Sequence, residues 1–198
     1  RIEFYGGEPL YDHQCERLLT RIANKGVAEN ITINISTNIT KQLNDDFIQV
    51  LAKFKHVNIN LSIDGWGDHF TYLRHPGNWD SVYNNIKYFV NLLETSDINL
   101  SLLPVCTVTS MNVYYLPELI TNLKEHFNLP VFLILSYHPP YFSIEHIPET
   151  VANKIIEKLT GFELHDLTPV INRLTNKGNE VQWKLFQKWT AMIDQYRN

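Results

Sequence analysis

The chain has 198 residues, of which 44% are hydrophobic and 19% are charged, and this composition excludes a disordered or low-complexity protein. The formal net charge is -4 and lysine and arginine form no run, which excludes the charge pattern of a nucleic-acid or anionic-membrane binder. No apolar stretch approaches the roughly 20 residues of a membrane span, and the start of the chain has no signal-peptide pattern. We therefore expect a cytoplasmic protein.

Segments with a hydrophobic period of two residues alternate along the chain with segments of period 3.6, which is typical of βα units and a parallel sheet. We predict strands at 1–5, 31–37, 57–64, 98–107 and 131–138. We predict helices at 11–24, 40–54, 79–94, 113–127, 148–160 and 179–197. Gly26 is expected to end the first helix, Thr40 to cap the second, and Pro117 to lie in an early turn of the fourth.

The regular alternation stops after the fifth predicted strand, where His138 is followed by Pro139 and Pro140. Residues 161–178 are irregular and are predicted to be a connection. We therefore predict two regions, a βα region at 1–138 and a helical region at 139–198.

Two predicted strands alternate between apolar and polar residues. In 31–37, Ile33 and Ile35 flank Asn34, and 57–64 repeats the pattern. Strands of an ordinary parallel sheet are buried on both faces and are apolar throughout, so this alternation is unusual. If helices cover the apolar face, the polar side chains must face one another or a ligand. The pattern predicts a (β/α) barrel or half-barrel whose site lies where the strands end.

Two glycines and a carboxylate, Gly6, Gly7 and Glu8, follow the first predicted strand. Glycines let a backbone approach a ligand closely, and a carboxylate is an acceptor suited to an ammonium group. A tight strand-to-helix turn with an exposed capping glutamate explains the same residues without a ligand. Their position at the C-terminal end of a strand favours the functional interpretation.

The segment Phe4–Leu10 resembles the Gly-Gly-Glu-Pro motif of radical S-adenosylmethionine enzymes. In that family the motif holds the amino group of the cofactor, so the resemblance implies binding by Gly6, Gly7, Glu8 and Pro9. Asn38 ends a segment that resembles the family's Thr-Asn-Gly turn, although Ile39 replaces the glycine here. The resemblance also implies a partial (β/α)6 TIM-like barrel in which the first βα unit is absent.

A third segment, Ser62-Ile63-Asp64-Gly65, resembles the family's Ser-Ile/Leu-Asp-Gly segment. In peptide-modifying relatives the serine contacts the cofactor ribose and a downstream arginine meets its carboxylate, which implies these roles for Ser62 and Arg74. Asp64 is included with the binding residues, and a loop-capping aspartate is the alternative. Farther along, Leu135 and Ser136 match the strand that neighbours the adenine in the family.

The family's Cys-x3-Cys-x2-Cys loop, which holds its [4Fe–4S] cluster, does not occur in the sequence. Cys15 and Cys106 are too far apart in sequence to replace it, and we expect both to be buried thiols. The histidines are not spaced as a metal site either. We therefore expect no metal site in this chain, cluster ligands outside it, and no activity from the chain alone. Both ends of the sequence look cut.

The resemblance implies that the parent protein is an enzyme. Its reduced cluster would cleave S-adenosylmethionine to a 5′-deoxyadenosyl radical, which would abstract hydrogen from a substrate. A peptide is the preferred substrate and a small molecule the alternative, and the enzyme would need a reductant. The segment 189–198 resembles the helix before a twitch-type extension. The competing hypothesis is a non-catalytic barrel remnant that binds a nucleoside or a partner.

Overall fold

The structure of the chain is a computed structural model that describes residues 1–197. Its five strands are β1 (Ile2–Phe4), β2 (Thr32–Thr37), β3 (His56–Ser62), β4 (Leu100–Val108) and β5 (Phe132–Leu135). The α-helices of the described residues are α1 (His13–Asn24), α2 (Asp45–Leu51), α3 (Gly67–Leu73), α4 (Trp79–Thr95), α5 (Leu116–Phe127), α6 (Glu149–Leu159), α7 (Thr168–Leu174) and α8 (Glu180–Arg197). The last residue of the predicted 189–198 segment lies outside the described residues.

The strands form one sheet in the order β1-β2-β3-β4-β5. The first four are parallel, and a register line joins Glu3, Asn34, Asn58 and Ser101 across them. The predicted α/β class is thereby confirmed, and a strand occurs within or overlapping each of the five predicted ranges. The sheet is compatible with a partial barrel, while the (β/α)6 barrel stays a prediction.

The alternation along β2 and β3 separates a buried apolar face from a polar one. Ile33, Ile35, Ile59 and Leu61 have no exposed surface. The intervening polar side chains of β3 are half-buried, and Asn34 of β2 is buried. Since the apolar side chains are fully buried and most of the polar ones are not, the polar face is left to hydrogen-bond within itself or to a ligand.

Two features of the helices differ from the sequence predictions. The helix predicted at 40–54 is shorter, because α2 is capped by Asn44, whose side chain accepts from the Phe47 N–H at 2.7 Å. Thr40 is not its cap, since its hydroxyl donates to Asn38 Oδ1. Two helices were not predicted, α3 and α7, and α7 lies inside the stretch predicted to be irregular. Seven residues make only two turns, too few for a clear apolar period.

The chain divides into two compact units, which are described separately. The first unit contains Arg1–Cys106 and Leu123–Phe132, and the second contains Thr107–Asn122 and the chain from Leu133 onward. The predicted division into 1–138 and 139–198 stays a prediction. None of the helices within residues 1–197 combines the length and the apolar character needed to cross a membrane.

Candidate functional site

The turn after β1 requires its two glycines for backbone reasons. Gly6 and Gly7 have φ angles of +79° and +57°, in the left-handed region that side chains other than glycine rarely adopt. A Cβ atom on either residue would meet no protein atom within 4 Å. The turn therefore has an unusual backbone and open space around it.

Glu8 lies next in this turn, and neutral groups hold its carboxylate in place. Oε1 accepts from the Thr37 hydroxyl at 2.7 Å and from the Leu10 N–H at 3.1 Å, while Oε2 accepts from the Asn38 N–H at 2.6 Å. No ion pair to Glu8 occurs among residues 1–197. Because no cation offsets it, the negative charge remains available to a positively charged ligand.

The turn after β2 has a left-handed backbone that its sequence does not indicate. Ile39 has a φ of +64° and no exposed surface, although a β-branched residue in the left-handed region is a genuine outlier. Its N–H donates to the Thr37 hydroxyl at 3.1 Å, and its carbonyl accepts from the Asn85 side chain at 2.7 Å. Ile39 therefore has a backbone conformation that usually favours glycine. Asn38 points its N–H at Glu8 and accepts from Thr40 through Oδ1.

The turn after β3 contains an ion pair. Oδ2 of Asp64 accepts from Nε of Arg74 at 2.7 Å and from Nη2 of the same residue at 2.5 Å. Arg74 lies at the C-terminal end of α3, the helix that was not predicted. Ser62, the last residue of β3, is half-buried opposite Val105 of β4.

Close packing fixes α3 and with it the position of Arg74. A Cβ on Gly65 would lie 3.0 Å from His69 Nδ1 and 3.2 Å from the Phe70 N atom, so the turn can approach the helix only with glycine there. The Trp79 ring lies 4.5 Å from the Trp66 ring and 5.3 Å from the Phe70 ring, measured between centroids. These contacts place the guanidinium beside Asp64.

A row of hydrogen-bonded polar side chains crosses the polar face of the sheet, toward the ends of the strands opposite these turns. Asn34 donates to Oε1 of Glu3 at 3.1 Å, and Asn58 donates to Oδ1 of Asn34 at 2.7 Å. The Nε2 atom of His56 lies 3.0 Å from Oδ1 of Asn58 and 2.9 Å from the Ser101 hydroxyl. The polar alternation in the sequence predicts a polar face, but it does not predict these particular hydrogen bonds. The network satisfies the face internally and leaves the strand ends for a ligand.

Ser136 belongs to the second unit and is described apart from the other predicted binding residues. Its N–H donates to the Val108 carbonyl at 3.0 Å, and its hydroxyl donates to the His138 carbonyl at 3.2 Å. The preceding residue, Leu135, ends β5. The roles of Ser136 and Leu135 beside an adenine stay predictions.

Neither cysteine has the character of a cluster ligand. Burial, and then the nearby Asp12 and Glu16 carboxylates, raise the pKa of the Cys15 thiol to about 12. Burial, followed by Asp64, raises the pKa of Cys106 well above its ordinary value. Metal ligation requires thiolates, and no group of three His, Cys, Asp or Glu residues within residues 1–197 could hold a metal ion. The residues present therefore do not fit a [4Fe–4S] cluster.

The charges of Glu8 and Arg74 match the amino-acid end of S-adenosylmethionine, which carries one ammonium and one carboxylate. Glu8 is a carboxylate that makes no ion pair in the described part of the chain, and Arg74 is a guanidinium with a third of its side-chain surface exposed, at 34%. A cavity of about 630 Å³ lies beside the turn after β1 and is bordered by Gly6, Gly7 and Glu8. Its other wall is formed by α1, where Arg17 and Leu18 contribute. Arg74 is not one of the described residues that line the cavity beside Glu8.

The fold is similar to that of SuiB from Streptococcus suis. The crystal structure of SuiB bound to S-adenosylmethionine matches with a TM-score of 0.52 and 17% identity, covering 81% of this chain and 34% of that one. SuiB bound to its precursor peptide SuiA matches with a TM-score of 0.51 and 16% identity over the same shares of the two chains, 81% and 34%. A third SuiB structure gives 0.51 and 16%, with shares of 89% and 37%.

The chain thus spans about a third of the length of SuiB, 34% to 37%. No family model matches it, and no curated protein matches it. At this level of sequence identity, the similarity shows that the chain shares the fold of the part of SuiB that it covers.

Proposed function

We propose that the chain is the S-adenosylmethionine-binding part of a radical S-adenosylmethionine enzyme. The observation that carries the proposal is the Glu8 carboxylate, which neutral donors hold at the end of a parallel strand and which makes no ion pair within residues 1–197. A carboxylate in this state suits an ammonium group, and the Gly-Gly-Glu-Pro motif has that function in the family that the sequence resembles. The fold that the chain shares with a protein that binds S-adenosylmethionine supports the same conclusion.

The remaining residues are assigned by what each can offer the cofactor. Arg74 would receive its carboxylate through the part of the guanidinium that Asp64 leaves accessible. Ser62 would hydrogen-bond a ribose hydroxyl, since a hydroxyl both donates and accepts. Asn38 and the two glycines, with Pro9, would shape the turn. Asp64 then serves to hold Arg74 in place.

The iron–sulfur cluster is proposed to be held by cysteines outside these 198 residues. The proposal is supported by the sequence resemblance, because the family's cluster loop has three cysteines whereas these 198 residues contain two, Cys15 and Cys106. It is also supported by the outer edge of β1, which is the first strand in the sheet order and borders the 630 Å³ cavity. When bound, the cluster would supply the electron that cleaves the cofactor.

The substrate is proposed to be a peptide, because the chain shares its fold with SuiB, which was crystallised with its precursor peptide. A small molecule is the alternative substrate. In either case the enzyme would require an external reductant, since a cluster must be reduced before it can donate an electron.

The full-length protein that contains this chain provides the test. It is reconstituted under anaerobic conditions with iron and sulfide, reduced, and incubated with S-adenosylmethionine. We expect the visible absorption of a thiolate-bound cluster and release of 5′-deoxyadenosine. Binding of S-adenosylmethionine without cluster formation would instead support a non-catalytic nucleoside-binding protein, and absence of both would contradict the proposal.

A further inference from the structure

The Thr37 hydroxyl makes hydrogen bonds to both the turn after β1 and the turn after β2. Thr37 is the last residue of β2 and is 1% exposed. Its oxygen lies 2.7 Å from Oε1 of Glu8, 29 residues earlier in the chain, and 3.1 Å from the N atom of Ile39. The Ile39 N–H can only donate, so it occupies a lone pair of the hydroxyl, and the hydroxyl proton is left for the Glu8 carboxylate. The direction of both hydrogen bonds is thereby fixed.

We propose that Thr37 is a positioning residue that presents one acceptor site of Glu8 to a primary ammonium group. The inference rests on the proposed function and specifies how the site recognises its ligand. Thr37 itself would not touch the ligand, because it is buried and its hydroxyl is already used twice.

The acceptor capacity of Glu8 supports this assignment. An ionised carboxylate offers about four lone-pair positions. Oε1 accepts from the Thr37 hydroxyl and the Leu10 N–H, and Oε2 accepts from the Asn38 N–H. About one position therefore remains, on Oε2. One position suits a single N–H of an ammonium group, whereas a guanidinium fork donates two N–H groups and needs two free positions.

The three donors to Glu8 are all neutral, and this distinguishes them from a structural ion pair. A cationic side chain could also hold Glu8, but it would neutralise the charge that attracts the ligand. A hydroxyl and backbone N–H groups fix the carboxylate and leave its charge in place. The Leu10 N–H lies within the same turn as Glu8, so Thr37 and Asn38 are the contacts that tie it to β2.

The same hydroxyl supports the left-handed backbone of Ile39. That backbone is strained for a β-branched residue, and such strain persists only where neighbouring contacts over-determine it. The hydrogen bond from Ile39 to Thr37 is one such contact. One buried hydroxyl thus fixes both the shape of the second turn and the orientation of the carboxylate in the first.

The test compares Thr37→Val, which is similar in shape but lacks the hydroxyl, with Thr37→Ser, which keeps it. Affinity for S-adenosylmethionine is measured by titration calorimetry on the full-length protein, and the midpoint of thermal unfolding is measured in parallel. We expect Thr37→Val to weaken binding by about 10-fold and Thr37→Ser to stay within about 2-fold of the wild type. If Thr37→Val does not fold, Thr37→Ala removes the same hydroxyl and serves instead.

A lowered unfolding midpoint with unchanged affinity in Thr37→Val would overturn the inference, because it would show a purely structural role. Equal loss of affinity in the valine and serine variants would overturn it as well. The Glu8→Gln variant separates ammonium binding by Glu8 from the positioning role of Thr37. If Glu8→Gln weakens binding and Thr37→Val does not, only the positioning role fails. If the wild type does not bind S-adenosylmethionine, the proposed function fails and the inference with it.

Discussion

The turns after β1 and β3 each contain a carboxylate, and the two carboxylates are held in opposite ways. Glu8 accepts from a hydroxyl and two backbone N–H groups, whereas Asp64 accepts twice from the guanidinium of Arg74. The first arrangement leaves the negative charge of Glu8 unneutralised, whereas in the second the charge of Asp64 is offset by Arg74. We infer from this difference that Glu8 is left available to a ligand, whereas Asp64 positions another side chain.

The largest effect is expected for the alkylation rates of the two cysteines. Cys15 lies in α1, the helix after the Glu8 turn, and Cys106 lies in β4. Cys15 is near the carboxylates of Asp12 and Glu16, and Cys106 is near Asp64 and Arg74. A pKa of about 12 instead of 9.0 lowers the thiolate population of Cys15 by about 1,000-fold at pH 8, so alkylation by iodoacetamide should be slowed to that extent. Mass spectrometry should find both thiols unmodified in the folded protein and both modified in denaturant.

The same shift predicts how stability depends on pH. Above pH 9 the unfolded chain loses the Cys15 proton while the folded chain keeps it, so the unfolded state binds fewer protons. The free energy of unfolding should therefore fall as the pH rises from 9 toward 12, and a Cys15→Ser variant should show a weaker fall. Rapid alkylation of the folded protein at pH 8 would contradict the burial of these side chains.

The next effect concerns the turn after β2, which supplies two of the donors to Glu8. Ile39→Ala removes a fully buried side chain while keeping the strained backbone, and should lower the free energy of unfolding by about 2–5 kcal/mol. Ile39→Gly loses the same contacts but relieves the left-handed strain, so it should be more stable than the alanine variant by about 1–2 kcal/mol.

Ile35 provides the matched control, because it is equally buried but lies within β2. At that position glycine should be less stable than alanine, which is the usual order within a strand. Chemical denaturation of the four variants measures the comparison. The usual order at both positions would mean that the backbone of Ile39 is not left-handed.

A smaller effect is expected for Arg74→Leu, which removes the cation of the third turn. Affinity for S-adenosylmethionine should fall by about 1.5–3 kcal/mol through loss of a charged hydrogen bond. Stability should fall by only about 1 kcal/mol, because both partners are partly exposed, at 34% and 17% of their side chains. Titration and denaturation of the full-length protein separate these two quantities. Unchanged affinity would remove Arg74 from the site.

The smallest effect is expected for Asp64→Asn. The amide oxygen can still accept from Arg74, but the charge that neutralises the guanidinium is lost. The arginine should then attract the ligand carboxylate more strongly, and affinity should rise by about 3-fold. Weaker binding would show that Asp64 contributes to the site beyond holding Arg74.

The sequence was sufficient to predict the main structural elements and the polar face, and it was insufficient for the contacts between the turns. Alternation along β2 and β3 is a local signal, which is why both strands were found. The pairing of Asp64 with Arg74 depends on α3, whose seven residues carry too little periodicity to be recognised. Ile39 shows the same limit, because a β-branched residue does not signal a left-handed backbone. Its burial and its hydrogen bonds to Thr37 and Asn85 hold it there.

The most direct test of the central claim asks whether Glu8 recognises the ammonium group itself. S-adenosylmethionine and an analogue that lacks only the amino group are titrated into the full-length protein and into its Glu8→Gln variant. We predict that the wild type prefers S-adenosylmethionine by about 10-fold or more, as expected for a charged hydrogen bond, and that the variant binds both ligands alike. An undiminished preference in Glu8→Gln would contradict the account, because another group would then be holding the ammonium.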